Sequence, residues 1–248
     1  MGVIFQTAVF IDLDETLIEG PFDRRVWPSI LKELSTKTGL PVEPLMNEIV
    51  AENRLRQNDD SVPAVVAMDW DDIVQTVAAR HGVTLEASVV ALVEAHAAET
   101  KVLDEGMSVL RELAAPERAL VVATKGLAKY QRPLLDAAGL TPLFHDILTP
   151  DRCNALKKHP GYFADWPEKA RLCIMVGDRY DDDVLFPSAK GFKTVWKQIA
   201  LPDTLAAADP FARARLYPYA DWQTARPDAI IRSLTELPKV IDQLEAAL

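Results

Sequence analysis

The chain has 248 residues, 49% of them hydrophobic, with 27 basic against 37 acidic side chains and a formal charge of −10 at pH 7. This length suits one large domain or a core carrying a smaller inserted unit, and the apolar content excludes a disordered chain. So acidic a protein repels nucleic-acid backbones and anionic membranes, so neither is an expected partner, and an anionic small molecule would need a local cluster of cations or a metal.

The two cysteines, Cys153 and Cys173, are too few for a disulfide scaffold and lack the neighbours of a zinc site; both read as free thiols in a reducing cytosol. The N-terminus has no basic region ahead of its apolar stretch, and Gln6 stands where a myristoylation signal needs Ser or Thr. No window approaches the ~18 apolar residues of a membrane-spanning helix. A cytoplasmic location is expected, and the oligomeric state is left open.

The first element is an apolar run at residues 8–11, rich in β-branched and aromatic side chains, which predicts a buried parallel strand. Asp12 and Asp14 stand at its carboxyl end, where open α/β sheets bind their ligands. Unless they are solvated turn residues, two such acids need compensation, because burying unpaired carboxylates is costly; a divalent cation supplies it.

After the turn at Glu19-Gly20-Pro21 the period changes from strand to helix. Trp27, Ile30, Leu31 and Leu34 form a helical stripe ending near Gly39, and Pro41 and Pro44 open a second helix with Leu45, Ile49 and Leu55 toward its apolar side. A polar loop at 58–63 leads to a third stripe, Trp70, Ile73, Val74 and Val77, closed by Gly82, and a fourth helix is predicted over 85–98. Both tryptophans read as core. Residues 21–99 thus form an all-helical insertion, with residues 1–20 and 100–248 making up the core.

Strand-like runs return at 119–123, ending in Thr124-Lys125-Gly126, at 147–148, at 172–176, ending in Gly177-Asp178, and at 192–196. Helical stretches at 106–114, 127–138, 162–170 and 182–189 separate them. The alternation predicts an α/β fold, a Rossmann-like parallel sheet with helices on both faces. Residues 200–225, rich in Ala, Pro and aromatics, read as irregular structure on the core, and residues 228–248 as a short strand or turn and a terminal helix.

The predicted strand ends therefore carry Asp12 and Asp14, Thr124 with Lys125 beside it, and Asp178, which is followed by Asp181, Asp182 and Asp183; a lysine pair, Lys157-Lys158, precedes His159-Pro160. Acids, a hydroxyl and a lysine at one sheet edge suit phosphoryl transfer, with Asp12 as nucleophile and Mg²⁺, a hard cation preferring oxygen, neutralising charge on the phosphoryl oxygens. Lysine and Thr124 would contribute a second positive charge and a hydrogen bond, with Lys125 a further candidate for holding substrate. The acids at 181–183 also suit a helix N-terminus, and Arg179 is expected to pair with them. Arg24 and Arg25 read as a solvated helix start. His81, His96 and His145 have no spacing for a metal or for catalysis.

D-x-D-x-T (Asp12, Asp14, Thr16), a strand ending in Thr124, a lysine, and G-D-x-x-x-x-D (Gly177, Asp178, Asp183), in that order, resemble the haloacid dehalogenase (HAD) superfamily over roughly residues 5–20 and 100–197. The resemblance implies that Asp12 forms an aspartyl-phosphate. Asp14 would protonate the leaving oxygen and then activate water, with its backbone carbonyl on the metal. Thr124 and a lysine would hold the phosphoryl group, and Asp178 would bind Mg²⁺ with Asp182 or Asp183 in support. The helical insertion would be a C1-type cap that selects substrate. Family members that cleave carbon–halogen bonds lack an acid at the position of Asp14, so the implied activity is hydrolysis of a small phosphorylated metabolite. A phosphomutase, whose extra cap motifs are not found, and a non-catalytic HAD-like binding protein are the alternatives. Two positions depart from the family pattern: Arg179 where a small residue is usual, and Lys157-Lys158 in place of Lys-Pro. The family lysine is followed by proline at the third position and an aromatic at the sixth. Lys157 satisfies this with Pro160 and Phe163, so it is expected to face the site and Lys158 the solvent.

Overall fold

Near-continuous apolar character lets one short segment be buried on both faces, and strand β1 (Phe5–Ile11) has it: Val9 and Ile11 face one core, Ala8 and Phe10 the other. The structure, a computed structural model, describes residues 4–198 and 225–247, so the expectation for 200–225 lies, Ala225 apart, outside the described residues. Strands β4 (Arg118–Ala123), β5 (Asp146–Leu148), β6 (Ala170–Gly177), β7 (Lys193–Lys197) and β8 (Ala229–Ile231) join β1 in a parallel sheet of order β5-β4-β1-β6-β7-β8. β1 sits between β4 and β6, and its last residue, Ile11, lies opposite Val122 and Val176. That register brings the next residues of three strands, Asp12, Thr124 and Asp178, to one edge.

Between the first and second strands of the sheet the chain leaves and rejoins the core through a two-stranded antiparallel ribbon of β2 (Ile18–Glu19) and β3 (Lys101–Val102). Everything between these two strands is helix or loop: a π-helical turn (Phe22–Val26), α1 (Trp27–Thr38), α2 (Val42–Asn58), α3 (Ala64–Ala67), α4 (Trp70–Arg80) and α5 (Val89–His96). Helix α1 ends where Gly39 takes φ 72°, and Asp69 caps α4 through the N–H groups of Asp71 and Asp72. The expected helix over 85–98 is shorter, because side chains capture its leading N–H groups. Gln75 accepts from Leu85, Glu33 from Glu86 and Ala87, and Asp71 from Val89, so the helix begins only after Ser88. Leu55 is 65% exposed, against expectation, because α2 turns Leu45, Ile49, Glu52 and Asn53 inward. The buried Glu52 carboxylate is paired with Arg80 and, at 2.6 Å, with Arg56.

The core continues with α6 (Gly106–Leu113), α7 (Ala128–Ala137), α8 (Pro150–Cys153), α9 (Trp166–Lys169), α10 (Phe186–Ser188) and α11 (Leu237–Ala246). No continuous helix spans 162–170. A 3₁₀ turn (Pro160–Phe163) is broken by Ala164 at φ 49°, and only the single turn of α9 precedes β6. On one face of the sheet Phe10 packs against Phe163 and Phe192, each with ring centroids 5.3 Å away. On the other, Val9 and Ile11 belong to the cluster that also holds Leu110, Leu134 and Ile241. No helix among the described residues is long and apolar enough to cross a membrane.

Candidate active site

At the carboxyl edge of β1 and β6, Asp12, Asp178 and Asp183 are buried and each offers an oxygen lying within 4.8 Å of the others'. Asp183 reaches this point from the π-helical turn Tyr180–Leu185, where its Oδ2 accepts the Arg179 N–H at 2.8 Å. Gly177 permits that approach: a Cβ there would overlap the Asp183 carboxylate. Thr16 donates to Asp178 Oδ1 at 3.2 Å and lies 3.4 Å from Asp12 Oδ2. Lys157, 1% exposed, places Nζ 2.8 Å from Asp12 Oδ1 and 2.6 Å from Asp183 Oδ1. Burial alone would lower its pKa, but the Asp12 and Asp183 charges hold it well above the usual lysine range.

One lysine does not satisfy three carboxylates. Burial, opposed by Lys157, pushes Asp12 up to about 6 and Asp183 up to about 7. Asp183 Oδ1, although close to Lys157, accepts no well-directed hydrogen bond. Surplus buried negative charge on an all-oxygen donor set fits a hard divalent cation. Asp182, the other candidate support, points elsewhere. It pairs with Lys125 at 3.0 Å and Arg179 at 2.9 Å, and these cations, overcoming burial, hold its carboxyl well below the usual range. Arg179 thus pairs with the following acids as expected.

Asp14 stands apart from the buried trio, facing a cavity. Its Oδ2 accepts from Gln131 Nε2 at 2.7 Å, and burial, opposed by that hydrogen bond, raises it to about 6. Gln131, on α7, carries no motif and gave no signal in the sequence; Gly126 leaves it room, since a Cβ there would overlap its amide. Thr124 sits at the end of β4, 1% exposed, with its hydroxyl accepting the Gly126 N–H at 3.1 Å. Tyr162, unnoticed in the sequence, places its hydroxyl 2.7 Å from Thr124 O and 2.8 Å from Leu148 O and ties the ends of β4 and β5 together.

The cavity, about 680 Å³, lies between this edge and the helical segment. It falls within the ~300–1,000 Å³ range of small-molecule sites. Trp27 and Trp70, expected in the core, are only partly buried and line it, packed edge to face with ring centroids 5.1 Å apart. Lys158, expected toward solvent, instead donates to Gln57 O of α2 at 2.6 Å, because the helical segment covers that side. Arg24 pairs with Glu19 at 3.1 Å and Arg25 with Glu99 at 2.8 Å. His81 and His96 pair with Glu48 and Glu99, and His145 accepts the Leu120 N–H; none joins the carboxylate trio. Cys153 and Cys173 are free thiols, and burial pushes Cys173 up to about 12.

Fold and edge together define a doubly wound α/β protein whose ligand site is built from strand-end carboxylates and a buried lysine. Residues 6–191 match the haloacid dehalogenase-like hydrolase family, and the chain belongs to that family. No curated protein sequence gives a significant match. Among solved structures, a HAD phosphatase from Thermococcus onnurineus is similar at 23% identity and TM-score 0.70, covering 97% of this chain and 98% of its own. A HAD hydrolase from Bacillus subtilis, bound to magnesium, is similar at 16% identity and TM-score 0.62, covering 96% and 99%. An L-2-haloacid dehalogenase from Xanthobacter autotrophicus with chloropropionic acid covalently bound is similar at 16% identity and TM-score 0.64, covering 96% and 98%. At these identities the likeness shows the fold, and the neighbours include both a phosphatase and a dehalogenase.

Proposed function

We propose that the protein is a Mg²⁺-dependent phosphatase that hydrolyses a small phosphate monoester through an aspartyl-phosphate on Asp12. The observation that carries this reading is Asp14: a second acid on the cavity wall, oriented by Gln131, with its pKa lifted to about 6. A carboxyl group in that range can give a proton to a leaving alkoxide and take one from water near neutral pH. A leaving halide needs no proton, so carbon–halogen cleavage would leave the acid half of this role with nothing to protonate.

In this reading an Asp12 oxygen attacks phosphorus while the ester P–O bond breaks, and Asp14 transfers its proton to the departing oxygen. Asp14, now ionised, takes a proton from water as the water oxygen attacks phosphorus. The Asp12–phosphorus bond then breaks, releasing inorganic phosphate and restoring the Asp12 carboxylate. Lys157 neutralises charge beside Asp12 throughout, and Lys125 and Thr124 flank the phosphoryl position. Mg²⁺, held by Asp12, Asp178, Asp183 and the backbone carbonyl of Asp14, would supply positive charge to the phosphoryl oxygens. Residues 21–99 serve as the cap. Its helices roof the cavity, the β2–β3 ribbon is its hinge, and contacts such as Tyr130 Oη to Asp69 at 2.9 Å hold it to the core.

The test offers the purified protein with Mg²⁺ 4-nitrophenyl phosphate in one assay and 2-chloropropionate in another. Phosphate release without chloride release is expected. Chloride release without phosphate release would overturn the reading in favour of carbon–halogen cleavage.

A further inference from the structure

Six cationic side chains among the described residues line the cavity, and five already have carboxylate partners. Lys157 is held by Asp12 and Asp183, Lys125 and Arg179 by Asp182, Arg24 by Glu19, and Lys158 by Asp60. Arg54 is the exception: among the described residues no carboxylate lies within 4.0 Å of it, and Asp23, which shares the cavity wall, is also farther than that. Arg56, two residues on, shows the contrast. Its guanidinium is engaged by Glu52, Asp72, the Val66 carbonyl and Thr76.

The α2 face that carries Arg54 into the cavity also holds Val50, Asn53 and Gln57, the i−4, i−1 and i+3 neighbours. That face is anchored: Asn53 donates to the Ala67 carbonyl at 2.9 Å, and Gln57 donates to Asn53 Oδ1 at 2.5 Å. The cavity is also far larger than one phosphoryl group needs, so the ester's alcohol portion extends into it. An unpaired guanidinium on a fixed helix face, opening into such a cavity, suits an anionic group with two oxygens side by side, which its fork can grip through two parallel hydrogen bonds.

We propose that Arg54 receives a second anionic group of the substrate, a carboxylate or a second phosphate, borne by the alcohol portion of the ester. The proposal deepens the phosphatase reading and rests on it only for the ester at the other end. The body joining the two anionic groups lies in a cavity that presents the rings of Phe22, Trp27 and Trp70, so a carbon skeleton with apolar surface fits there.

The test uses binding rather than turnover. A series of ω-phosphonocarboxylic acids of increasing chain length, and a parallel series of α,ω-bisphosphonates, are titrated calorimetrically with Mg²⁺ against wild type, Arg54→Gln and Arg54→Glu. Each ligand is paired with an analogue whose second anionic group is neutral, a carboxamide or a dialkyl phosphonate. At least one member should bind wild type about tenfold more tightly than its neutral partner, the size of one charge-assisted contact. Arg54→Gln should bring that ratio near one, and Arg54→Glu below one. Which series responds names the second group. The proposal is overturned if neither series discriminates in wild type, or if the discrimination survives in Arg54→Gln. Failure of the phosphatase reading would look different: no ester would release phosphate, while the Arg54-dependent ratio among the unreactive phosphonates would persist.

Discussion

Replacing Lys157 with methionine keeps the aliphatic stem and removes the charge that sits between two buried acids. Nζ lies 2.8 Å from Asp12 and 2.6 Å from Asp183, and the side chain is 1% exposed, so water cannot take over its role. Breaking a buried pair by removing one partner destabilises by about 3–5 kcal/mol. Asp12 and Asp183 are already raised to about 6 and 7, and without the lysine they take up protons near neutral pH, which places the loss toward the lower end. Because the folded pKa of Lys157 is raised, its contribution is fully present below the unfolded lysine value, about 10.4, and is lost only as pH rises above it. In acid the loss shrinks for another reason: once Asp12 and Asp183 are protonated, no buried charge is left unpaired. Losing a charge contact to the transferring group should also cost about 2.7–4 kcal/mol of transition-state stabilisation, or about 10²–10³ in rate. Lys158→Ala is the comparison. Its side chain is 27% exposed and meets Asp60, itself 80% exposed, at 3.3 Å, a solvated pair that contributes little. Urea unfolding of each variant at neutral and acidic pH, with kcat/KM on an aryl phosphate, measures both effects. A Lys157→Met protein with near-wild-type kcat/KM, or a smaller loss than Lys158→Ala shows, refutes the reasoning.

Asp12→Asn should abolish phosphate release while thermal unfolding shows a folded protein, since a neutral isostere replaces an acid already penalised by burial; full turnover in that variant would rule out Asp12 as nucleophile. Gly177→Ala should push the Asp183 carboxylate aside and weaken Mg²⁺ binding in a calorimetric titration, and unchanged affinity would remove Asp183 from the ligand set. The folded pKa values of Asp12 and Asp183 are raised, so their contribution to metal-free stability is fully present below the usual carboxylate pKa, about 4, and is lost as pH rises through about 6 and 7. Mg²⁺ needs the ionised acids, so the rise in Tm that it produces should be larger near pH 8 than near pH 5, to be checked by thermal unfolding with and without the metal; an equal or smaller rise at the higher pH contradicts the assignment.

How much of this was legible in the sequence follows from the range of the interactions involved. Strands buried on both faces must be apolar along their length, so β1, β4, β6 and β7 stand out as runs, and the polar residues that end three of them mark the ligand edge. The family's spacing, a lysine with proline at the third position and an aromatic at the sixth, singled out Lys157 through Pro160 and Phe163, and it is Lys157 that meets Asp12 and Asp183. Other features depend on which surfaces meet after folding. A helical stripe has the same period whether it faces a core or a cavity, so Trp27 and Trp70 read as core although they line a cavity wall. Leu55 read as buried because the sequence does not show that α2 keeps Glu52 inside, a charge tolerable only because Arg56 and Arg80 meet it there. Gln131 and Tyr162 had no signal, because their partners, Asp14 and the Thr124 carbonyl, lie 117 and 38 residues away. The sequence by itself therefore determined the main strands of the parallel sheet and the polar residues at their ends, but not the short β2–β3 ribbon. Only the tertiary structure decided which acids converge, which side chain orients Asp14 and which cation of the cavity has no carboxylate partner among the described residues, because those are set by packing between segments distant along the chain.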